Sequence, residues 1–369
     1  MMAQMALIAN RSRTVDGVAT SLSDIGYDDV GLDDNWQACG SYGPNGDSFH
    51  DANGRPVVNQ QRFPDFMAMT NYAHSLGLTA GWYGNNCICS DHCSSLDCYQ
   101  GDVDAVMDYG FDSIKLDGCG AQTDLTLYAD LFNKTGKSIL IENCHWGGTV
   151  PNATWCPWNY YRSSGDIGAS YGSIVSNLQS TIQWAKAGLS YPGCWAYPDM
   201  LEVGCHGLPP VEGRSHFNAW CIVSSPLILS MDLRDDAVMD ASWPVITNAE
   251  ALAVSKAWAG MSGTVFQAAS ATVQLGRDDK SGEPFAAVPA WQFFYKPIDG
   301  KSVAVLLMNH DSAAVNFVLT FANIPGCDGT TSYQLRDIHA HADLGSFTGT
   351  WSINNVASHD AVFLMVTPA

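Results

Sequence analysis

The sequence predicts an α/β chain, a (β/α)8 barrel of the TIM type followed by a C-terminal antiparallel β domain. Two observations carry this prediction. From residue 27 to about residue 258, apolar strand-like runs alternate with amphipathic helical stretches, the pattern of parallel strands joined by crossover helices. From residue 263 onward the helical period is gone, and short alternating runs separated by turn residues replace it. The predicted domains are therefore 1–258, a barrel, and 263–369, an antiparallel β sandwich.

The barrel elements follow in order. "YDDVGLDDNW" (27–36) is a strand with a polar end, and "DFMAMTNYAHSLG" (65–77) is a helix closed by glycine. The strand "LTAGWYGNN" (78–86), the helix "DVDAVMDYG" (102–110), the strand "FDSIKLDGCG" (111–120) and the helix "DLTLYADLFNKTG" (124–136) repeat the unit. "KSILIENCHWGG" (137–148) and "YYRSSGDIG" (160–168) are the next strands, and the helix "SIVSNLQSTIQWAKAG" (173–188) follows. "GLSYPGCWAYPDML" (188–201), the helix "RSHFNAWCIVSS" (214–225) and the strand "SPLILSMDLR" (225–234) bring the strand count to seven. In the β domain the strands are "TVFQAA", "WQFFYKP", "SVAVLLMN", "VNFVLTF" and "AVFLMVT", with "DDKSGEP", "IDG" and "IPGCDG" as turns.

Composition narrows the function. A formal charge of -20 over 369 residues argues against nucleic acid or an anionic membrane as partner and suits a neutral substrate. No apolar run is long enough to span a bilayer, and the opening "MMAQMALIANRSR" lacks the parts of a signal peptide. Twelve cysteines, five of them between residues 87 and 119, are not spaced as a zinc ribbon and predict disulfides. With the sequons at Asn10, Asn133 and Asn152 they favour a secreted, lysosomal or vacuolar protein.

The chemistry gathers at the C-terminal ends of the strands, the reactive face of such a barrel. In "FDSIKLDGCG" alternation puts Lys115, Asp117 and Cys119 on one face and Ile114 and Leu116 on the other, so two opposite charges share a wall. Taken alone, that is a structural ion pair. Asp33, Asp34, Glu142, Asp166 and Asp199 also fall at strand ends, with Trp36, Trp82, Trp146 and Trp195 beside them. Carboxylates on aromatic walls suit a sugar: acids accept from hydroxyls, rings stack on the pyranose, and two acids can divide the breaking of a glycosidic bond. The plainer readings are a helix N-cap for Asp166 and a solvated loop start for Asp33 and Asp34. His339 and His341, in "HAH", are predicted to be surface strand residues rather than metal ligands, and no metal or cofactor is expected.

Seven motifs, "GLDDNW", "IKLDGC", "ENCHWG", "YRSSGDI", "YPDMLEVG", "RSHFNAW" and "PLILSMDLR", occur in this order and resemble the α-galactosidase and α-N-acetylgalactosaminidase family, glycoside hydrolase family 27. The resemblance runs from about residue 14 to the end and includes "AHADLGSFTG". It implies a barrel followed by an antiparallel β domain, and a retaining enzyme that releases terminal α-D-galactose through a glycosyl-aspartate. Asp117 would be the nucleophile, kept ionised by Lys115, and Asp166 the acid/base. Asp34 would take the 4-hydroxyl and Asp33 the 6-hydroxyl, with Tyr83, Lys115, Arg162, Asp199 and Met200 lining the pocket. Cys144 and Cys156 match a family disulfide; Cys119 would pair with Cys87, Cys89 or Cys93. Partners would be α-galactosides of oligosaccharides and glycoconjugates, with a homodimer left open.

The chain departs from the family in four places. "WAYPDM" puts Tyr197 where the family has an acid, "GNNCICSDHCSSLDC" is Cys-rich, and His145 replaces the residue that reads the substituent on C2. An imidazole fills more space than serine and bonds a hydroxyl, which favours galactose over N-acetylgalactosamine; a buried structural histidine is the plainer reading. Asp33 argues against β-L-arabinopyranosides, which lack the 6-hydroxyl. The family's first strand has no counterpart, so the gene product is expected to begin upstream, with a signal peptide and that strand. A sugar-binding homologue without catalysis is the rival reading.

Overall fold

The computed structural model describes residues 1–40, 49–85, 87–89, 92–205 and 207–369; Asn86, Ser90 and Asp91 of the Cys-rich loop lie outside them. The chain forms two compact units, Met1–Arg162 and Ser163–Ala369.

The first unit opens with helix α1 (Met2–Ile8) and a hairpin of β1 (Arg13–Val15) and β2 (Val18–Thr20). Parallel strands β3 (Asp29–Gly31), β4 (Thr79–Gly84), β5 (Ser113–Asp117), β6 (Leu140–Cys144) and β7 (Tyr160–Arg162) then pair in chain order. The crossovers from β3 to β6 carry α2 (Phe66–Ser75), α3 (Leu96–Tyr109) and α4 (Leu125–Thr135). Side chains of Asp65 and Asp124 accept from the first turns of α2 and α4, and Gly110 and Gly136 end α3 and α4 in the left-handed region that L side chains avoid. The core between sheet and helices is aromatic. Trp82 stacks on Phe111 with centroids 5.2 Å apart, and Trp36, Phe49 and Phe66 close around them. Trp36 and Trp82, expected as walls of the site, are thus core residues, 1% and 2% exposed. The strands are covered on both faces, so both parities are buried, and alternation alone does not separate site from core.

The second unit carries α5 (Tyr171–Lys186), β8 (Trp195–Tyr197), α6 (Pro210–Ile222), α7 (Asp236–Ile246) and α8 (Ala249–Lys256). The seventh predicted strand, 225–234, is no strand among the described residues, where it contributes a parallel bridge between Leu201 and Leu229. Pro226 lacks the N–H a ladder needs there.

The antiparallel β domain follows, with β9 (Thr264–Ala268), β10 (Thr272–Val273), β11 (Val288–Pro289), β12 (Trp291–Pro297), β13 (Val303–Asn309) and β14 (Val315–Thr320). It ends with β15 (Ser332–Asp337), β16 (Ala342–Thr348), β17 (Thr350–Val356) and β18 (Ala361–Pro368). Six strands form a sheet in the order β16-β15-β18-β13-β12-β9, with β14 and β17 paired separately. His339 and His341 lie in the turn between β15 and β16, not in a strand, because the Asp337 carboxylate accepts the N–H groups of His339 and Ala340 and closes the turn.

Lys296 on β12 is wholly buried, and its ammonium donates to the carbonyls of Val254 and Ser255 at the end of α8. Burial pushes its pKa down to about 8. Lys296→Met should strand both carbonyls and lower unfolding stability by about 1–3 kcal/mol, measured by urea denaturation. No change in midpoint would show that water replaces the ammonium.

Candidate active site

Strand register builds the site in the first unit. Tyr83, Lys115, Glu142 and Tyr160 stand level across β4, β5, β6 and β7, and Asp117 stands level with Cys144. Lys115 and Asp117 share a face of β5, and Ile114 and Leu116 are buried on the other, as alternation requires. The lysine's partner is not Asp117. Its ammonium lies 2.7 Å from Asp33 Oδ2 and 5.4 Å from the centre of the Tyr83 ring. Asp117 instead receives the Tyr83 hydroxyl on Oδ2 at 2.8 Å. Burial raises the Asp117 pKa, opposed by the Tyr83 hydrogen bond and then by the Lys115 charge. Burial also works against the charge on Lys115, but Glu142 and Asp33 outweigh it and raise its pKa. Lysine thus moderates the nucleophile candidate without making it a strong acid.

Asp34 is fixed by the Gln37 amide at 2.7 Å and by the backbone N–H groups of Cys87 and Ile88 at 3.2 and 3.0 Å. That loop is stapled by Cys87–Cys119, Cys39–Cys89 and Cys93–Cys98. Cys119 therefore pairs with Cys87, one of the three partners left open by the sequence. The expected Cys144–Cys156 disulfide is absent. Cys144 is a buried free thiol, 3.6 Å from the Arg162 guanidinium, while Cys156 is disulfide-bonded. Cys144 ends β6 level with Asp117, and burial raises its pKa, so it packs as a neutral thiol. Cys87, Asp117 and Cys119 bring three potential metal ligands together, but the two sulfurs are bonded to each other and offer no thiolate.

His145 follows β6 and is buried. Its Nδ1 lies 2.8 Å from Thr149 Oγ1, and its Nε2 has no hydrogen-bond partner. Burial lowers its pKa, so it stays neutral at pH 7. Its ring lies against Gly118, where an added Cβ would sit 3.4 Å from it, next to Asp117. Trp146 is 40% exposed with φ 49, a ring that remains open to solvent.

In the second unit Asp166 is half-exposed on the segment after Ser163, whose N–H donates to the Tyr197 carbonyl of β8. The Lys280 ammonium lies 2.7 Å from Asp166 Oδ2. Asp199 is buried with φ 84, and its carboxylate accepts the N–H of Ile167 at 2.8 Å and of Met200 at 2.9 Å. Asp199 therefore holds the loop beside Asp166. Asp166 is not the cap of α5; Ser170 is. Nothing in the sequence pointed to Lys280, which lies 114 residues from Asp166 in a β-domain turn.

Known proteins share this arrangement of motifs. The family profile described as alpha galactosidase A matches residues 11–257, and that of the alpha galactosidase C-terminal beta sandwich domain matches residues 289–366. The chain belongs to the α-galactosidase family. An α-galactosidase of Oryza sativa subsp. japonica is 31% identical over 95% of this chain and 78% of its own length. One of Cyamopsis tetragonoloba is 29% identical over 95% and 80%. Among solved structures, α-galactosidase I of Mortierella vinacea superposes with a TM-score of 0.80 at 22% identity, covering 100% of this chain and 93% of that one. An α-galactosidase of Saccharomyces cerevisiae with raffinose gives 0.79 at 19%, again covering 100% and 93%. The fold class of this member of the α-galactosidase family is thus a TIM-type (β/α) barrel with a C-terminal antiparallel β sandwich.

Proposed function

We propose that this chain is a retaining exo-α-galactosidase acting on terminal α-D-galactosides of oligosaccharides and glycoconjugates. The observation that carries the reading is the Asp117 carboxylate, buried at the end of β5 with Tyr83 on one oxygen and Lys115 on the same face. Asp117 attacks the anomeric carbon while Asp166 protonates the leaving oxygen. Asp166 then takes a proton from water, which releases the sugar with its configuration retained. Lys115, Asp33, Asp34 and Tyr83 hold the hydroxyls, with Arg162, Asp199 and Met200 shaping the pocket. In this reading the barrel of residues 1–258 performs the chemistry, and the β domain of 263–369 is the sandwich that follows it. Named relatives act as α-galactosidases, which supports the substrate class. The disulfides, Cys39–Cys89, Cys87–Cys119 and Cys93–Cys98 among them, and the exposure of Asn10, Asn133 and Asn152 support an oxidising, secreted or vacuolar setting.

The test is proton NMR of a nitrophenyl α-galactoside digest, with α-galactose expected first; β-galactose first would refute retention. Specificity follows from His145, which faces C2 in this reading. Its neutral ring bonds a 2-hydroxyl and crowds an N-acetyl group. kcat/KM should favour the α-galactoside over the N-acetylgalactosaminide and the β-L-arabinopyranoside by at least about 10-fold. His145→Ser should shift the first ratio toward the N-acetylated sugar. An unchanged ratio would mean that His145 does not face C2.

A further inference from the structure

The strand ladder stops at the residue that matters most. The register of β5 with β6 ends at Asp117 and Cys144, and beyond it the chain turns through Gly118, Cys119 and Gly120. Asn85, the residue after β4, lies against this turn. It is fully buried, with the left-handed φ of 51. Its Nδ2 donates to the backbone carbonyl of Asp117, and its Oδ1 accepts the Gln122 N–H at 2.9 Å. One amide therefore ties both ends of the turn to the end of a neighbouring strand. A Cβ on Gly120 would lie 2.2 Å from Asn85 Oδ1, so glycine is needed there to leave space for the amide. The anchor continues inward. The Gln122 amide donates to Asp102 Oδ2 at 2.7 Å, the Tyr128 hydroxyl donates to the same oxygen at 2.6 Å, and His50 Nε2 lies 2.9 Å from Asp102 Oδ1. All four of these side chains are buried.

We propose that Asn85 is a positioning residue for the reaction, fixing the Asp117 peptide so that the carboxylate meets the anomeric carbon in line. The inference rests on the reading of Asp117 as nucleophile. Attack tolerates errors of only about 0.5 Å, and a misplacement of about 1 Å costs on the order of 100-fold. Tyr83 on β4 and Lys115 on β5 make no hydrogen bond to this amide, so its loss should fall on the chemical step more than on binding.

Two variants test it. Asn85→Gly removes the amide and keeps a residue suited to positive φ, and Gly120→Ala pushes the amide away while leaving it in the chain. Each should lower kcat on a nitrophenyl α-galactoside by about 10- to 100-fold with KM changed less than about twofold. The double variant should be no worse than Asn85→Gly alone, because both act through the one Asn85 side chain. Wild-type kcat in Asn85→Gly, a loss confined to KM, or losses that multiply would overturn the inference. Failure of both variants to fold would also overturn it, since Asn85 would then hold the fold and not the nucleophile. Asp117→Asn in the same assay separates the two readings: if that variant keeps turnover, Asp117 is not the nucleophile whatever Asn85 does.

Discussion

Asp117→Asn should lower kcat on α-galactosides by about four to six orders of magnitude, the loss seen when a covalent nucleophile is removed. An amide in the same place keeps the Tyr83 contact but cannot form the glycosyl ester. Asp166→Asn should behave differently. Substrates whose leaving group needs no proton should be cleaved at nearly the native first-step rate, while natural sugar leaving groups should be lost. Equal losses on both substrate types would remove Asp166 from the acid role. The pH profile gives a second check on Asp117, which must be ionised to attack. Because burial raises its pKa, the acid limb of kcat/KM should lie above the value of about 3.9 for a free aspartate. The Tyr83 hydrogen bond works the other way, lowering that pKa, so Tyr83→Phe should move the limb to higher pH. A limb that stays still or moves down would mean that another group governs it.

The sequence showed the row but not its partners. Alternation in "FDSIKLDGCG" placed Lys115 and Asp117 on one face, because a two-residue period is local and the flanking Ile114 and Leu116 fix it. The ion pair of Lys115 with Asp33 joins residues 82 apart and could be read only once β3 to β5 were assembled. For the same reason the Cys144–Cys156 pairing carried over from the resemblance failed, although nothing in the spacing of the cysteines opposed it. Trp82 was misplaced by a different route. It neighbours Tyr83, which does reach Asp117, and on a strand covered by helices its opposite face is just as apolar as the site face. Asn85 left no local signal, since "GNN" at a strand end is an ordinary turn. In the β domain the buried β13, apolar up to Asn309, was plain, whereas β15, β16 and β17 carry many polar or exposed residues and were not predicted.

The second large effect expected is on stability in acid, and it arises chiefly from two histidines of the second unit to which the sequence reading gave no role. His216 and His310 are both 0% exposed, and burial pushes each pKa down to about 3. Burial opposes a charge on both rings, and at His216 the hydrogen bonding opposes it too. His216 Nε2 accepts the Glu202 N–H at 3.0 Å, and a second proton would set two donors against each other; its Nδ1 has no partner. His310 sits with Nδ1 2.9 Å from the Tyr171 hydroxyl and Nε2 3.1 Å from Gln292 Oε1, and its burial, with the His359 charge second, opposes a positive ring. In the unfolded chain both titrate near 6.5. Between about pH 6 and pH 4 the unfolded state therefore binds more protons than the native state, and native stability falls as pH falls. These two sites alone give a slope of about 2.7 kcal/mol per pH unit, fully developed below the unfolded pKa and ending near the folded one, and His145 and His339, whose pKa values burial also lowers, add to it in the same sense. Asp29 and Asp117, whose carboxyl pKa values burial raises, act in the opposite sense as they gain protons and soften the lower end of the window. Urea unfolding at pH 7, 5.5 and 4.5 should show this loss, and His216→Gln should remove about 1.4 kcal/mol per pH unit of the slope while costing stability at pH 7. A slope unchanged in that variant would assign the acid sensitivity to carboxylates instead, since their protonation would persist without the imidazole.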